Sequence, residues 1–164
     1  MANIQMYVHA ITIDPDTNTP IVILKEVDGD RTLPIWIGLL EATAIATEME
    51  KIEFSRPMTH DLIINLLNAI GAEVLKIEVS DLKDNTYFAL ITLKYGEKEA
   101  KVDARPSDAV AIALRAGAQI FVNESVIRQV RSFDGQGSLK RSAGQKSWDE
   151  ILNELDPKDF KYKM

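Results

Sequence analysis

The chain has 164 residues, of which 46% are apolar and 27% charged, and these values are typical of one water-soluble domain with a sizeable core. It has no cysteine, no apolar run long enough to span a membrane and no signal peptide at its N-terminus, so we expect a cytoplasmic protein without disulfides, thiolate metal sites or membrane spans. Its net charge of −6 excludes a general polyanion binder, although a local basic patch or bound metal ions could still hold nucleic acid.

The first part of the chain predicts three strands followed by a helix. Apolar, β-branched runs predict strands over Met6–Ile13, Ile21–Leu24 and Leu33–Ile37, separated by a polar turn and by an Asp-Gly hairpin signal. A helix is predicted directly after Gly38. Its apolar residues recur at helical spacing on one face: Ala42, Ile45, Ala46 and Met49.

A second helix, Asp61–Ile70, precedes a similar three-strand and helix pattern. The pattern contains three predicted strands: Val74–Val79, Tyr87–Leu93 and Ala100–Ala104. The helix that follows these strands ends at Gly117, which is typical of a left-handed C-cap. A short strand, Gln119–Val122, and a helical turn, Glu124–Val130, complete this part.

The two patterns align without gaps at an offset of 67, with residues 14–46 over residues 81–113 and eight identities in 33 positions. We interpret the alignment as an internal duplication, and chance similarity between two hairpin-plus-helix segments is the alternative. Strands covered by helices on one face predict an α+β fold, a two-layer domain built from a duplicated three-strand-plus-helix unit.

The predicted domain covers residues 1–130, and residues 131–164 form a polar linker and a short C-terminal helix. Ser147 and Glu150 make a capping box at the start of that helix. A helix so short is marginal by itself, so its apolar stripe must pack on its own domain, a neighbouring subunit or a partner. The stripe consists of Trp148, Ile151, Leu152 and Leu155.

Two segments place an arginine before a proline and an acid where a helix begins: Arg56–Asp61 and Arg105–Asp108. An acid in the first turn meets the positive end of the helix dipole and gains about 0.3–1 kcal/mol. The same field disfavours an arginine there, unless it pairs with a carboxylate or holds an anion. Because this conflict occurs twice, it indicates a functional site at these helix starts.

The candidate site residues lie near the starts of helices, which converge if both units share one sheet. Carboxylates with one imidazole suit Mg²⁺ or Mn²⁺, and arginines hold phosphate well. As catalytic residues we predict Glu41, His60, Asp61, Asp103 and Asp108. As metal ligands we predict Glu41, Asp103 and Asp108, and as phosphate-binding residues Arg56, Arg105 and Ser107.

A purely structural interpretation stays open for each of these residues. Asp61, Ser107 and Asp108 favour helix starts for local reasons. Arg105 has two nearby acids, Asp103 and Asp108, with which it could fasten the strand to the helix. His60 could be a helix-start hydrogen bonder or a solvated ring, while His9 and Trp36 are expected to be structural.

Three motifs, in this order, resemble the bifunctional nuclease domain family: LPIWIG at Leu33–Gly38, RPMTHDL at Arg56–Leu62 and VDARPSDA at Val102–Ala109. The resemblance covers about residues 4–130. It implies a compact α+β fold, self-association and nuclease activity on DNA and RNA. The first hypothesis is therefore a metal-assisted nuclease, and the alternative is a non-catalytic, homo-oligomeric module that binds an anion or a protein.

Overall fold

A computed structural model describes residues 2–134 of the chain, which form seven strands and four helices. The strands are β1 (Asn3–Ile13), β2 (Pro20–Glu26), β3 (Thr32–Trp36), β4 (Ala72–Lys83), β5 (Thr86–Tyr95), β6 (Lys98–Ala104) and β7 (Gln119–Asn123). The helices are α1 (Leu39–Met49), α2 (Thr59–Ala69), α3 (Pro106–Ala116) and α4 (Glu124–Asp134). Within this part of the chain, no helix combines the length and apolar character that crossing a membrane requires.

All seven strands join one sheet in the order β3-β2-β1-β7-β4-β5-β6. Strands β1 to β3 form one antiparallel meander, and β4 to β6 form another. The late strand β7 lies between the two meanders, antiparallel to β1 and parallel to β4. A strand that comes late in the sequence thus joins the two meanders into one sheet.

The four helices cover one face of the sheet. Strand pairing places Val22 beside Ile35 and Leu24 beside Leu33, and all four side chains are buried. Helix residues from α1, α3 and α4 complete the same core, and α2 adds partly buried side chains to it. The predicted α+β class is therefore confirmed, with one seven-stranded sheet and four helices in the described residues.

The sheet curls, so that strands far apart in its order meet. Tyr87 in β5 donates a hydrogen bond from its hydroxyl to the carbonyl oxygen of Pro34 in β3, at 3.2 Å. Because β3 leads into α1 and β6 leads into α3, the curl also brings the starts of these two helices together. This closure determines the position of the candidate site.

The elements lie where the periodicity predicts them, and Gly117 ends α3 in the left-handed conformation. Most boundaries differ from the prediction by one to three residues, and those of β4 and α4 by as many as four. Strand β4 extends from Ala72 to Lys83, and α4 continues to Asp134, so the predicted domain boundary at residue 130 falls inside a helix. The helix predicted to begin at Ser147 lies outside the described residues.

The structure leaves the internal duplication a prediction. The bounds of α1 and α3 differ by 67 at both ends, as the alignment requires. The hairpins differ, however. Ile13 lies opposite Pro20 across a six-residue connection, whereas Lys83 lies opposite Thr86 across a two-residue turn. Similar order of elements therefore coexists with different turn geometry.

Candidate active site at the starts of three helices

Helices α1, α2 and α3 each carry an acid at their third residue: Glu41, Asp61 and Asp108. The backbone N–H groups of the first turn have no intrahelical acceptor, and the helix dipole is positive there. A carboxylate at this position is therefore favourable in all three helices for the same local reason. The three acids nevertheless have different partners.

Four side chains from three helix starts form a continuous network, which we name the helix-start cluster: Glu41, His60, Arg105 and Asp108. Arg105 binds Oδ2 of Asp108 through Nε and Nη2, each at 2.8 Å, and Oε1 of Glu41 through Nη1 at 2.8 Å. Nε2 of His60 is hydrogen-bonded to Oδ1 of Asp108 at 2.9 Å. The two oxygens of Asp108 thus hold a cation and an imidazole.

The charges in the cluster define the proton on His60. Burial by itself raises the pKa of Asp108, but hydrogen bonds from Arg105 and His60 outweigh it, so this pKa lies below its ordinary value. Asp108 is therefore an ionised carboxylate at neutral pH and can only accept hydrogen bonds. Consequently Nε2 of His60 is the donor in this hydrogen bond, and Nδ1 is the ring nitrogen that can accept a proton.

Arg105 is the exposed member of the cluster. Its pKa lies above the ordinary value for arginine, mainly because of its hydrogen bond with Asp108 and to a smaller extent because of the one with Glu41. The side chain is 64% exposed, whereas that of His60 is 15% exposed. Each terminal nitrogen of Arg105 has a second N–H that these contacts do not use. Arg105 can therefore bind an anion while it holds both acids.

Glu41 reaches Arg105 by folding back over Gly38. A Cβ atom at position 38 would overlap the Glu41 carboxylate. Gly38 is extended, with φ −75° and ψ 163°, so its backbone angles do not require glycine. Its role is to leave room for the carboxylate.

Asp61 belongs to a different ion pair. Its Oδ1 accepts from Nε of Arg115 at 2.7 Å, and its Oδ2 accepts from the backbone N–H of Met58 at 2.9 Å. Burial by itself raises the pKa of Asp61, but the hydrogen bonds from Arg115 and Met58 outweigh it and leave it below the ordinary value. Asp61 therefore caps its own helix, which is the structural role that its position alone favours.

Arg115, which the sequence reasoning missed, joins three helices. Its side chain is only 7% exposed and donates to the carbonyl oxygens of Ala44 at 2.9 Å and Ala111 at 3.0 Å, besides Asp61. These contacts tie α1, α2 and α3 together beside the cluster. The sequence signal that could have revealed Arg115 was its place four positions after Ala111, on the buried face of α3.

Besides Asp61, three predicted site residues lie outside the cluster: Asp103, Arg56 and Ser107. Asp103 pairs with Leu90, whereas its neighbour Val102 pairs with the buried Ile91 on the helix-covered face. Because successive strand residues alternate in direction, Asp103 belongs to the opposite face of the sheet. Arg56 lies exposed in the connection between α1 and α2 and makes no described contact with the cluster. Ser107, the remaining predicted residue, is buried at the second position of α3.

The cluster does not fit the predicted metal site. Within residues 2–134, no group of three or more His, Asp and Glu side chains could hold a metal ion. The guanidinium of Arg105 lies between the carboxylates of Glu41 and Asp108, and Asp103 is on the other face of the sheet. A requirement for Mg²⁺ or Mn²⁺ stays a prediction.

Comparison with known proteins supports the resemblance. The family model of the bifunctional nuclease domain matches residues 22–134. An uncharacterized protein of Mycobacterium tuberculosis is 39% identical over 163 residues, covering 96% of this chain and 98% of its own length. Bifunctional nuclease 2 of Arabidopsis thaliana is 32% identical over 107 residues, which cover 63% of this chain and 32% of the plant protein. Bifunctional nuclease 1 of the same plant is 31% identical over 109 residues, or 64% of this chain and 34% of its own.

Proposed function

Because the chain belongs to the bifunctional nuclease domain family, we propose that it hydrolyses phosphodiester bonds of DNA and RNA at the helix-start cluster. One observation carries this proposal: a single carboxylate, Asp108, holds both the imidazole of His60 and the guanidinium of Arg105. His60 thus supplies a proton acceptor, and Arg105 supplies a phosphate-binding cation beside it. The names of the plant relatives support the same reaction class.

In the proposed reaction His60 is the general base. Asp108 binds the Nε2–H side of the ring and so leaves the Nδ1 lone pair to accept a proton from water. The oxygen of that water attacks phosphorus, its proton moves to Nδ1, and the bond from phosphorus to the leaving sugar oxygen breaks. The leaving oxygen takes a proton from solvent.

Arg105 binds the phosphate in this proposal, and Glu41 holds Arg105 in place. The two acids fix the guanidinium, and its unused N–H groups contact the phosphate oxygens as negative charge grows there. Ser107, at the start of α3, adds a hydroxyl to the phosphate-binding groups. Arg56, which is exposed and lies just before α2, contacts a more distant phosphate of the same strand.

A nuclease assay on single- and double-stranded DNA and on RNA tests the proposal. Wild type, His60→Ala and His9→Ala are purified identically and assayed with and without a chelator. The chain has two histidines, and His9 lies exposed in β1, so His9→Ala is the matched control. We expect His9→Ala to match wild type and His60→Ala to lose at least about a hundredfold in rate. Equal activity in all three preparations would indicate a contaminating nuclease and contradict the proposal.

A second candidate function, a non-catalytic homo-oligomeric module that binds an anion or a protein, is favoured by a different surface. Residues 49–70 expose a series of large apolar side chains, which we name the α2 apolar surface: Met49, Ile52, Phe54, Met58, Leu62, Leu66 and Ile70. Soluble monomers rarely expose so much apolar surface together. We propose that two copies of the chain associate through it. Self-association without nuclease activity would favour this candidate.

A further inference from the structure

A groove extends from the helix-start cluster and shares Glu41, Arg105 and Ser107 with the reaction proposed above. It lies between the end of β3 and the start of β5 and is bounded by the starts of α1 and α3, with a volume of about 280 Å³. Ligand pockets commonly span roughly 300–1,000 Å³, so this groove suits one small planar group with its attached phosphate. Its lining includes Trp36, Asn85, Tyr87, Arg105 and Ser107.

The floor of the groove contains a polar side chain without a partner. Ser107 is 6% exposed, and its hydroxyl makes no hydrogen bond among the residues that the structure describes. A buried hydroxyl is unfavourable unless it finds an acceptor or a donor. Because Ser107 lines the groove, a ligand there would supply that partner.

The start of α3 is open to an anion, in contrast to the start of α2. At α2, Asp61 accepts the N–H of Met58 and so caps its own helix. At α3, Asp108 occupies the same third position, but its two oxygens are engaged by His60 and Arg105, and no side chain within residues 2–134 caps the helix. The N–H groups of Ser107 and Asp108 have no intrahelical acceptor. A phosphate oxygen can occupy that place.

The wall of the groove presents a fixed aromatic ring. Trp36 is 45% exposed, and its Nε1–H donates to Oδ2 of Asp14 at 3.0 Å. That hydrogen bond lowers the pKa of Asp14, so the acceptor stays ionised at neutral pH. An exposed indole held at one edge is a suitable platform for an unpaired nucleobase, because every base has a π-face.

We propose that this groove binds an unpaired nucleotide, with its phosphate at the start of α3 and its base stacked on Trp36. The proposal rests on the proposed function and adds the class of substrate: single-stranded nucleic acid. The bases of a duplex are stacked inside it and cannot reach Trp36 unless they are flipped out. Stacking does not distinguish ribose from deoxyribose, so single strands of DNA and RNA both fit.

Fluorescence of Trp36 tests the proposal without any turnover. The chain has two tryptophans, so Trp148→Phe leaves Trp36 as the only one, and His60→Ala in the same protein prevents cleavage. This protein is titrated with a ten-residue oligothymidylate, an abasic oligonucleotide of equal length and a hairpin duplex. We expect saturable quenching by oligothymidylate, no quenching by the abasic strand, and at least tenfold weaker binding of the duplex.

Variants locate the binding site by anisotropy of a labelled oligothymidylate. Ser107→Ala and Trp36→Leu should each weaken binding at least threefold. Tyr7→Leu, which removes an equally exposed aromatic ring outside the groove, should leave binding unchanged. Circular dichroism of each variant separates loss of binding from loss of folding. Equal binding of duplex and single strand, or equal effects of Tyr7→Leu and Trp36→Leu, would overturn the proposal.

The two proposals fail in different ways. Wild type that cleaves nucleic acid while Trp36 stays unquenched contradicts the groove but leaves the proposed function intact. Quenching by oligothymidylate together with no cleavage by wild type supports the groove and contradicts the hydrolytic function.

Discussion

Nε2 of His60 and Oδ1 of Asp108 lie 2.9 Å apart and join the starts of α2 and α3, although 48 residues separate them in the chain. Asp61, at the same position of α2, caps its own helix. Asp108 does not cap α3 and binds His60 instead. An imidazole held by a carboxylate is the geometry that the proposed general base requires. The first prediction follows from this pair.

Replacing Asp108 by asparagine should reduce nuclease activity at least about a hundredfold, because His60 loses the carboxylate that orients its ring and holds its Nε2–H. The measurement is the cleavage rate of a defined oligonucleotide at saturating concentration. Asp81→Asn is the matched control, since Asp81 pairs only locally with Lys83 at the surface. Comparable losses in both variants would contradict the assigned role of Asp108.

Replacing Asp61 by asparagine should destabilise the fold by about 2 kcal/mol. The change leaves the guanidinium of Arg115, which is 7% exposed, without its carboxylate. Removing one partner of a fully buried ion pair costs about 3–5 kcal/mol of stability, and the partial exposure of Asp61 lowers that cost. Urea unfolding measures the difference. The exposed pair of Asp81 and Lys83 gives the control, for which Asp81→Asn should cost less than about 1 kcal/mol.

The stability of wild type should fall on acidification. The pKa values of Asp61 and Asp108 are lower in the folded chain than the ordinary value of 3.8, so the unfolded chain takes up protons first as the pH falls. Their contribution is complete above the ordinary pKa and is lost as the pH falls through the folded values. The free energy of unfolding should therefore decrease between about pH 5 and pH 2.

Asp61→Asn should show a smaller decrease over this range than wild type, because one of the carboxylates whose pKa is lowered by folding is absent. Asp103→Asn removes an exposed carboxylate outside both networks and serves as the control. Chemical unfolding at a series of pH values checks both variants. An unchanged slope in Asp61→Asn would show that this ion pair does not set the acid response.

Replacing Gly38 by alanine should lower activity several-fold without lowering stability. The added Cβ displaces the flexible carboxylate of Glu41, and Arg105 then loses one of its two acids. The extended backbone of Gly38 accepts alanine without strain. Thermal unfolding and the cleavage rate are measured on the same preparation.

Gly29→Ala is a close control for Gly38→Ala. There, too, a Cβ would overlap a glutamate carboxylate, that of Glu26, but the pair of Glu26 and Arg31 lies outside the helix-start cluster. Activity should be unchanged in this variant. A loss of activity in Gly29→Ala equal to that in Gly38→Ala would mean that the effect is not specific to Glu41.

Replacing Leu66 by glutamate should abolish self-association, because it places a charge in the centre of the α2 apolar surface. Leu66 is 58% exposed, so the change should cost the folded chain little stability. Sedimentation measures the mass against the 18.3 kDa of one chain. Val27→Glu, at an exposed hairpin position outside the surface, should sediment as wild type does. A monomeric wild type would contradict the prediction.

Local patterns predicted most of the fold. Alternating and helical periodicity indicated each strand and helix, and the order of elements indicated helices on one face of a sheet. The patterns also indicated Glu41, His60, Arg105 and Asp108, because all four lie near helix starts and because the arginine conflicts with the helix dipole there. They did not reveal Arg115, whose importance depends on contacts with two other helices.

By itself, the sequence determined that three helices begin with an acid at the third residue, since that preference acts within one turn of the chain. Only the tertiary structure decided that Asp61 caps a helix, that Asp108 binds His60 and that Asp103 belongs to the other face of the sheet. These outcomes depend on the curl of the sheet, strand register and burial. Such long-range packing joins residues that no local pattern connects.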